Sequence, residues 1–160
     1  MKHTRTILLF LFIVLTFYCY GAGMVDYFGI YEPWKLIPEN DFAAFHQFQG
    51  ERVVRIFVIP SAVMTLFNIL VVIFPVQYIS KKWAWLSLLA YTFDWIFSFT
   101  MQIPIQLELE KRKDMQLINE LLYTNWFRFA ADSLQVLFVC ILLWQLLKKL
   151  EHKFLDKIRT

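Results

Sequence analysis

Four stretches of this chain are apolar over lengths that suit a bilayer better than a globular core. Thr6 to Val25 and Ile56 to Ser80 carry no charge, Trp83 to Leu107 is broken only by Asp94, and Leu121 to Leu147 only by Arg128 and Asp132. A membrane-spanning helix needs roughly 20 mainly apolar residues, because unpaired backbone amides are too costly in hydrocarbon for any other spanning chain short of a closed barrel. The expected fold is therefore an all-α membrane protein, a four-transmembrane-helix bundle forming a single domain over residues 1–160. The spans fall at about 6–27, 54–79, 83–105 and 122–147. Composition agrees: 59% of residues are hydrophobic, 18% are charged and mean hydropathy is +0.51. Soluble chains carry about 25% charged residues.

The first run follows Lys2 and Arg5, as a signal peptide would, but bulky Tyr18 and Tyr20 occupy positions where a cleavage site wants small side chains. It is expected to stay as a span. Orientation follows the basic residues that flank spans. Lys2, Arg5, Lys81, Lys82, Lys148, Lys149, Lys153, Lys157 and Arg159 gather on one side with only Glu151 and Asp156. Asp26, Glu32, Glu39, Asp41, Glu51, Glu108, Glu110, Asp114 and Glu120 fall on the other, among Lys35, Arg52, Arg55, Lys111, Arg112 and Lys113. The first side reads as cytoplasmic, which gives an N-in/C-in, multi-pass protein of the cell membrane. Trp34, Trp83, Trp85, Trp126 and Trp144 read as interfacial anchors.

Amphipathic outer extensions are expected before helices 2 and 4. Asn40 or Asp41 could cap a helix in which Phe42, Phe45 and Phe48 recur at helical spacing. Asp114 could cap another, with Met115, Ile118, Leu121 and Leu122 on one face.

Ionisable side chains inside a span cost on the order of 3 kcal/mol each and usually face the bundle interior. Asp94 falls on a stripe with Ser87, Tyr91, Ser98 and Met101, and Gln102 and Gln106 continue it on either side of Pro104, which should kink or end the helix. Asn125, Arg128, Asp132 and Gln135 form a second stripe, in which Arg128 and Asp132 can pair at i,i+4. Two readings follow. In one, the cluster is structural glue between helices. In the other, it lines a polar pocket open to the outer face. His46, near Arg52 and Arg55, adds an imidazole that is either an interfacial hydrogen-bonder or a catalytic base. Arg55 is either a partner for Asp94 or a snorkelling surface residue.

Several chemistries lack their residues. Cys19 and Cys140 fall in opposite halves of the membrane and cannot bridge. No His/Cys/carboxylate set has metal-ligand spacing, and there is no glycine-rich phosphate loop. No cofactor and no nucleic acid are expected. The expected partners are the lipid bilayer and an apolar or aromatic small molecule, with a homo-oligomer also compatible.

Three motifs occur in order: Phe45-His46 followed by Arg52, Arg55 and Pro60; Gln102-Ile103-Pro104-Ile105-Gln106 closing the third helix; and Thr124-Asn125-Trp126-Phe127-Arg128 opening the fourth. Their order and spacing, over roughly residues 40 to 147, resemble the anthrone-oxygenase-like family of small four-helix integral membrane proteins, in particular its bacterial branch. The resemblance implies a four-helix bundle and, as in some fungal members, cofactor-free oxygenation of an anthrone to an anthraquinone. Carried over by position, it marks His46, Arg52, Arg55, Gln102, Gln106, Asn125, Trp126 and Arg128; Asp94 and Asp132 come from burial alone. His46 would act as base, and Arg128, Asn125 and Gln106 would hold a developing oxyanion. The competing expectation is a non-enzymatic membrane scaffold or partner subunit.

Overall fold

The computed structural model describes residues 2–77 and 79–159, and all regular structure in them is helical. The side chains of Lys2, Lys153, Asp156, Lys157, Ile158 and Arg159 lie outside the described residues, so most of the C-terminal basic cluster is placed by backbone alone.

Helix α1 (Lys2–Val25) continues through a π turn (Asp26–Ile30) and a 3-10 turn (Glu32–Leu36). Helix α2 (Glu39–Val53) runs through a second π turn (Val54–Val58) into α3 (Ile59–Ile73). Helix α4 (Lys81–Phe97) runs through a third (Ser98–Gln102) into α5 (Ile103–Leu109), and α6 (Met115–Arg159) is unbroken.

Each π turn is followed closely by a proline: Pro33, Pro60 and Pro104. A helical proline clashes with the carbonyl four residues back and leaves it without a donor. The wider turn relieves the clash, and the amides of Ile59 and Ile103 reach back five residues, to the carbonyls of Val54 and Ser98. The carbonyl of Ile56, which Pro60 cannot serve, instead accepts the Tyr18 hydroxyl at 2.9 Å. Pro104 therefore neither ends nor breaks its helix. Because the π turn adds a residue per turn, the buried stripe passes from Ser98 to Gln102, and Met101 turns outward.

Pro75 does end a helix. It pushes Phe74 out of helical geometry (φ −114°, ψ 64°), so the second span stops at Ile73 rather than near residue 79. The first amphipathic extension also differs from expectation. Helix α2 starts at Glu39 behind Pro38, with no side-chain cap from Asn40 or Asp41. Of its three phenylalanines only Phe42 is buried, while Phe45 and Phe48 face outward. Asp114 caps as expected, its Oδ1 accepting the amides of Gln116 (2.8 Å) and Leu117 (3.2 Å).

Among the described residues, three helices are long and apolar enough to cross a membrane: His3–Leu36, Glu39–Ile73 and Met115–His152. Only 33%, 33% and 28% of their most apolar windows is buried inside the protein. Phe10, Val14, Leu66, Ile69 and Leu137 lie on the uncovered surface. So large an apolar exterior suits lipid and not water. The stretch Lys81–Leu109 is also an unbroken helix but is not among the three, since Trp, Tyr, Ser, Thr and Asp94 dilute its hydropathy.

Helices α4 and α6 pack along each other, as do α1 and α3, and the pairs join through α1–α6 and α3–α4. The apolar core lies in two parts. A lower part gathers Leu9, Phe12, Met64, Val71, Val139 and Leu142; an upper part gathers Tyr31, Trp34, Phe42, Leu109, Ile118 and Leu121. Trp34 is thus a core residue, only 3% exposed, and not an interfacial anchor. Its indole nitrogen donates to Gln49 Oε1 at 2.6 Å.

Candidate functional site: a cavity at the level of the π turns

Between the two parts of the core lies a cavity of about 330 Å³ to which all three π turns contribute side chains: Asp26, Phe57 and Gln102 among them. A volume of roughly 300–1,000 Å³ is usual for small-molecule sites. The arrangement has a local cause. Below the π turns α3 and α4 pack together. Above them their continuations α2 and α5 part, and His46 Nε2 meets Gln106 Oε1 at 2.7 Å across the gap. Val53, Val54, Phe57, Trp95, Ile103 and Leu107 give the cavity mostly apolar walls.

Its polar side is organised around Arg128. The guanidinium Nε donates to Asp94 Oδ1 at 3.0 Å, and both residues are buried. The expected Arg128–Asp132 pair along α6 does not form. Asp132 Oδ2 instead accepts the Tyr27 hydroxyl at 2.6 Å, and the Tyr27 ring lies 5.2 Å from the Arg128 guanidinium carbon. The interhelical ion pair fills the requirement that a buried charge have a partner, and it leaves Asp132 to a neutral donor.

Sequence reasoning missed a third carboxylate. Asp26, expected among the outer charges, is 3% exposed inside the first π turn, and its Oδ2 accepts the Tyr31 hydroxyl at 2.9 Å. Its spacing to Tyr31, five residues, matches a π turn and not an α-helix; that was the available signal, together with Pro33 downstream.

The cavity gathers His46, Asp94, Gln102, Gln106 and Arg128 from the sequence-predicted set. Asp132 sits behind it, bonded to Tyr27. Arg52 and Arg55 are not part of it: both are exposed, and Arg52 lies 3.5 Å over the Phe48 ring. Arg55 is a surface residue and not the partner of Asp94. Asn125 and Trp126 face a separate cavity with Tyr27, Phe28 and Glu32. Ser61 and Gln49 also line the first cavity, unannounced by the sequence, together with Tyr91 from the Asp94 stripe and Trp34, expected as an interfacial anchor.

Among the described residues, seven hold a buried side-chain polar atom with no hydrogen-bond partner, and five of them line this cavity: Asp26 (Oδ1), His46 (Nδ1), Ser61, Ser98 and Gln102 (Oε1). Buried polar atoms are nearly always paired in folded proteins, so their convergence on one space is informative. Because His46 donates from Nε2 to the Gln106 oxygen, neutral His46 presents a lone pair at Nδ1. The free groups are therefore acceptors at Asp26, His46 and Gln102, with two hydroxyls that can act either way. A complementary molecule is apolar over most of its surface and carries O–H or N–H donors.

Among the described residues no group of His, Cys, Asp and Glu could hold a metal ion, and Cys19 and Cys140 are free thiols. Comparison with family models, with curated proteins and with solved structures finds no match.

Proposed function

We propose that the chain is a multi-pass membrane protein that binds an apolar or aromatic small molecule carrying hydroxyl or N–H donors in the cavity at the π turns. The observation that carries this reading is the convergence of unpartnered acceptors at Asp26, His46 and Gln102 on one mostly apolar space. Helix α4–α5 would be a fourth crossing, since α4 packs along α6 and α3, which belong to the apolar rods Met115–His152 and Glu39–Ile73, both long enough to span. The basic residues then set both termini in the cytoplasm and the cavity toward the outer face.

The geometry also supports a chemical step. His46 Nδ1 can take a proton from a bound hydroxyl or acidic C–H, and Arg128 lies on the same cavity wall to stabilise the anion that results. The resemblance to the anthrone-oxygenase-like family adds the proposal that such an anion is oxidised by dioxygen.

A scaffold reading rests on a different observation: Arg128–Asp94 and Tyr27–Asp132 link different helices, and Tyr31–Asp26 bonds across the first π turn. Protein purified in mild detergent separates the two. Its UV–visible spectrum, with mass spectrometry of extracted small molecules, should reveal a stoichiometric aromatic or phenolic species that is lost in His46→Ala and Gln102→Leu. A folded, ligand-free protein whose stability does not respond to phenolic or hydroquinone ligands would favour the scaffold.

A further inference from the structure

The second cavity, about 240 Å³, is lined by Tyr27, whose ring lies 5.2 Å from the Arg128 guanidinium carbon, and shares none of the first cavity's lining. Phe28, Trp126 and Phe129 form its aromatic wall, each ring centroid 5.7 Å from the other two in edge-on contact. Trp126 and Phe28 are more than half exposed, so the wall is open to the surroundings. Asn125, 4% exposed, lies at its base, and neither its amide nitrogen nor its amide oxygen has a partner. Glu32 is the charged residue of the lining, and Lys35 Nζ lies 3.0 Å from its Oε1.

These groups constrain the ligand. A purely apolar occupant would leave both buried amide atoms of Asn125 unsatisfied, each at the cost of its lost hydration. An anion alone would meet Glu32. A cation fits the carboxylate and the aromatic wall together, as in ammonium recognition by aromatic rings. A quaternary ammonium has no N–H for Asn125 Oδ1, whereas a primary ammonium has three. The remaining donors, Asn125 Nδ2 and the Lys35 ammonium beside Glu32, then call for an acceptor joined to that amine. A phosphate supplies it. The exposed Glu32–Lys35 pair is itself weak, so exchanging its partners for those of a zwitterion costs little.

We propose that this second cavity binds a phosphoethanolamine group, its ammonium held by Glu32, Asn125 Oδ1 and the Phe28–Trp126–Phe129 wall, and its phosphate by Lys35 and Asn125 Nδ2. The group comes either from a phospholipid of the surrounding bilayer or from a soluble phosphoethanolamine. The site is independent of whatever occupies the first cavity.

Thermal unfolding of the full chain in a neutral maltoside detergent tests it, with phosphatidylethanolamine, phosphatidylcholine, phosphatidylglycerol or free phosphoethanolamine added. Phosphatidylethanolamine is expected to raise Tm at lower concentrations than the other two lipids, and Glu32→Gln and Asn125→Leu should weaken that response at least tenfold. Equal responses to ethanolamine and choline lipids, or to ethanolamine and glycerol lipids, would overturn the proposal. So would an unchanged response in Glu32→Gln. If Asn125→Leu does not fold, Glu32→Gln and Trp126→Leu, both at exposed positions, decide the matter. A response to free phosphoethanolamine matching that of the lipid assigns the soluble source, and a response to the lipid alone assigns the bilayer. No response to either would refute the site.

Discussion

His46 and Gln106 meet at 2.7 Å across the gap between α2 and α5, and this contact fixes which imidazole nitrogen faces the cavity. The amide oxygen of Gln106 requires a proton on Nε2, so the lone pair is held at Nδ1. Gln106→Leu should release that constraint. Imidazole 15N chemical shifts are expected to report one tautomer for His46 in the native protein and a mixture in the variant. His3 and His152, both exposed, serve as internal references. A single tautomer surviving in Gln106→Leu would mean that something other than Gln106 orients the ring.

Removing Arg128 should cost more than removing its partner. Asp94→Asn keeps a hydrogen-bond acceptor beside the guanidinium, whereas Arg128→Leu leaves Asp26, Asp94 and Asp132 buried with no cation among them. Breaking a buried pair typically costs about 3–5 kcal/mol. Denaturant or thermal unfolding in detergent should place Arg128→Leu at or above that range and Asp94→Asn below it. The double variant should be less destabilised than the sum of the singles.

Tyr18 and Pro60 should be energetically coupled through the carbonyl of Ile56. In the native protein Tyr18→Phe strips that carbonyl of its donor, at a cost of about 1–2 kcal/mol. In a Pro60→Ala background the residue 60 amide becomes available to the carbonyl, and the same substitution should cost little. A double-mutant cycle on Tm measures the difference, and additivity would mean that the hydroxyl acts elsewhere.

Tyr27→Phe should strand Asp132. Its Oδ2 would lose the 2.6 Å hydroxyl, and its Oδ1 has no partner already. The expected loss is about 1.5–3 kcal/mol, the range for a hydrogen bond to a charged group. Adding Asp132→Leu should recover part of it, because no polar atom then remains to be satisfied.

The polar stripe of α6 was legible from spacing alone, since Asn125, Arg128, Asp132 and Gln135 obey an uninterrupted α-helical period and all four are buried. The same method failed where the helix changes pitch. A period of 3.6 put Met101 on the inner stripe of α4, and the tally of flanking charges put Asp26 among the outer ones; both errors fall in π turns. Partner choice was not legible either. Spacing allowed Arg128 to pair with Asp132 on its own helix, but the depth of α4 beside α6 brings Asp94 closer, and that is a property of packing. Nor does any periodicity within α6 tell that Asn125 faces one cavity and Arg128 another, because the rest of each lining comes from other segments.

Each π turn amounts to one residue beyond what an α-helix would use, and deleting that residue would rotate everything above it by about 100°. The parts of each of these rods below and above the π turn are consequently phased separately. Residues below can be arranged for packing against neighbouring helices, while those above face the cavity without sharing the same angular register. A one-residue deletion within 54–58 would leave α3 seated in the bundle and swing His46 away from Gln106. The three prolines hold that offset in place, much as a detent holds a dial between its marks.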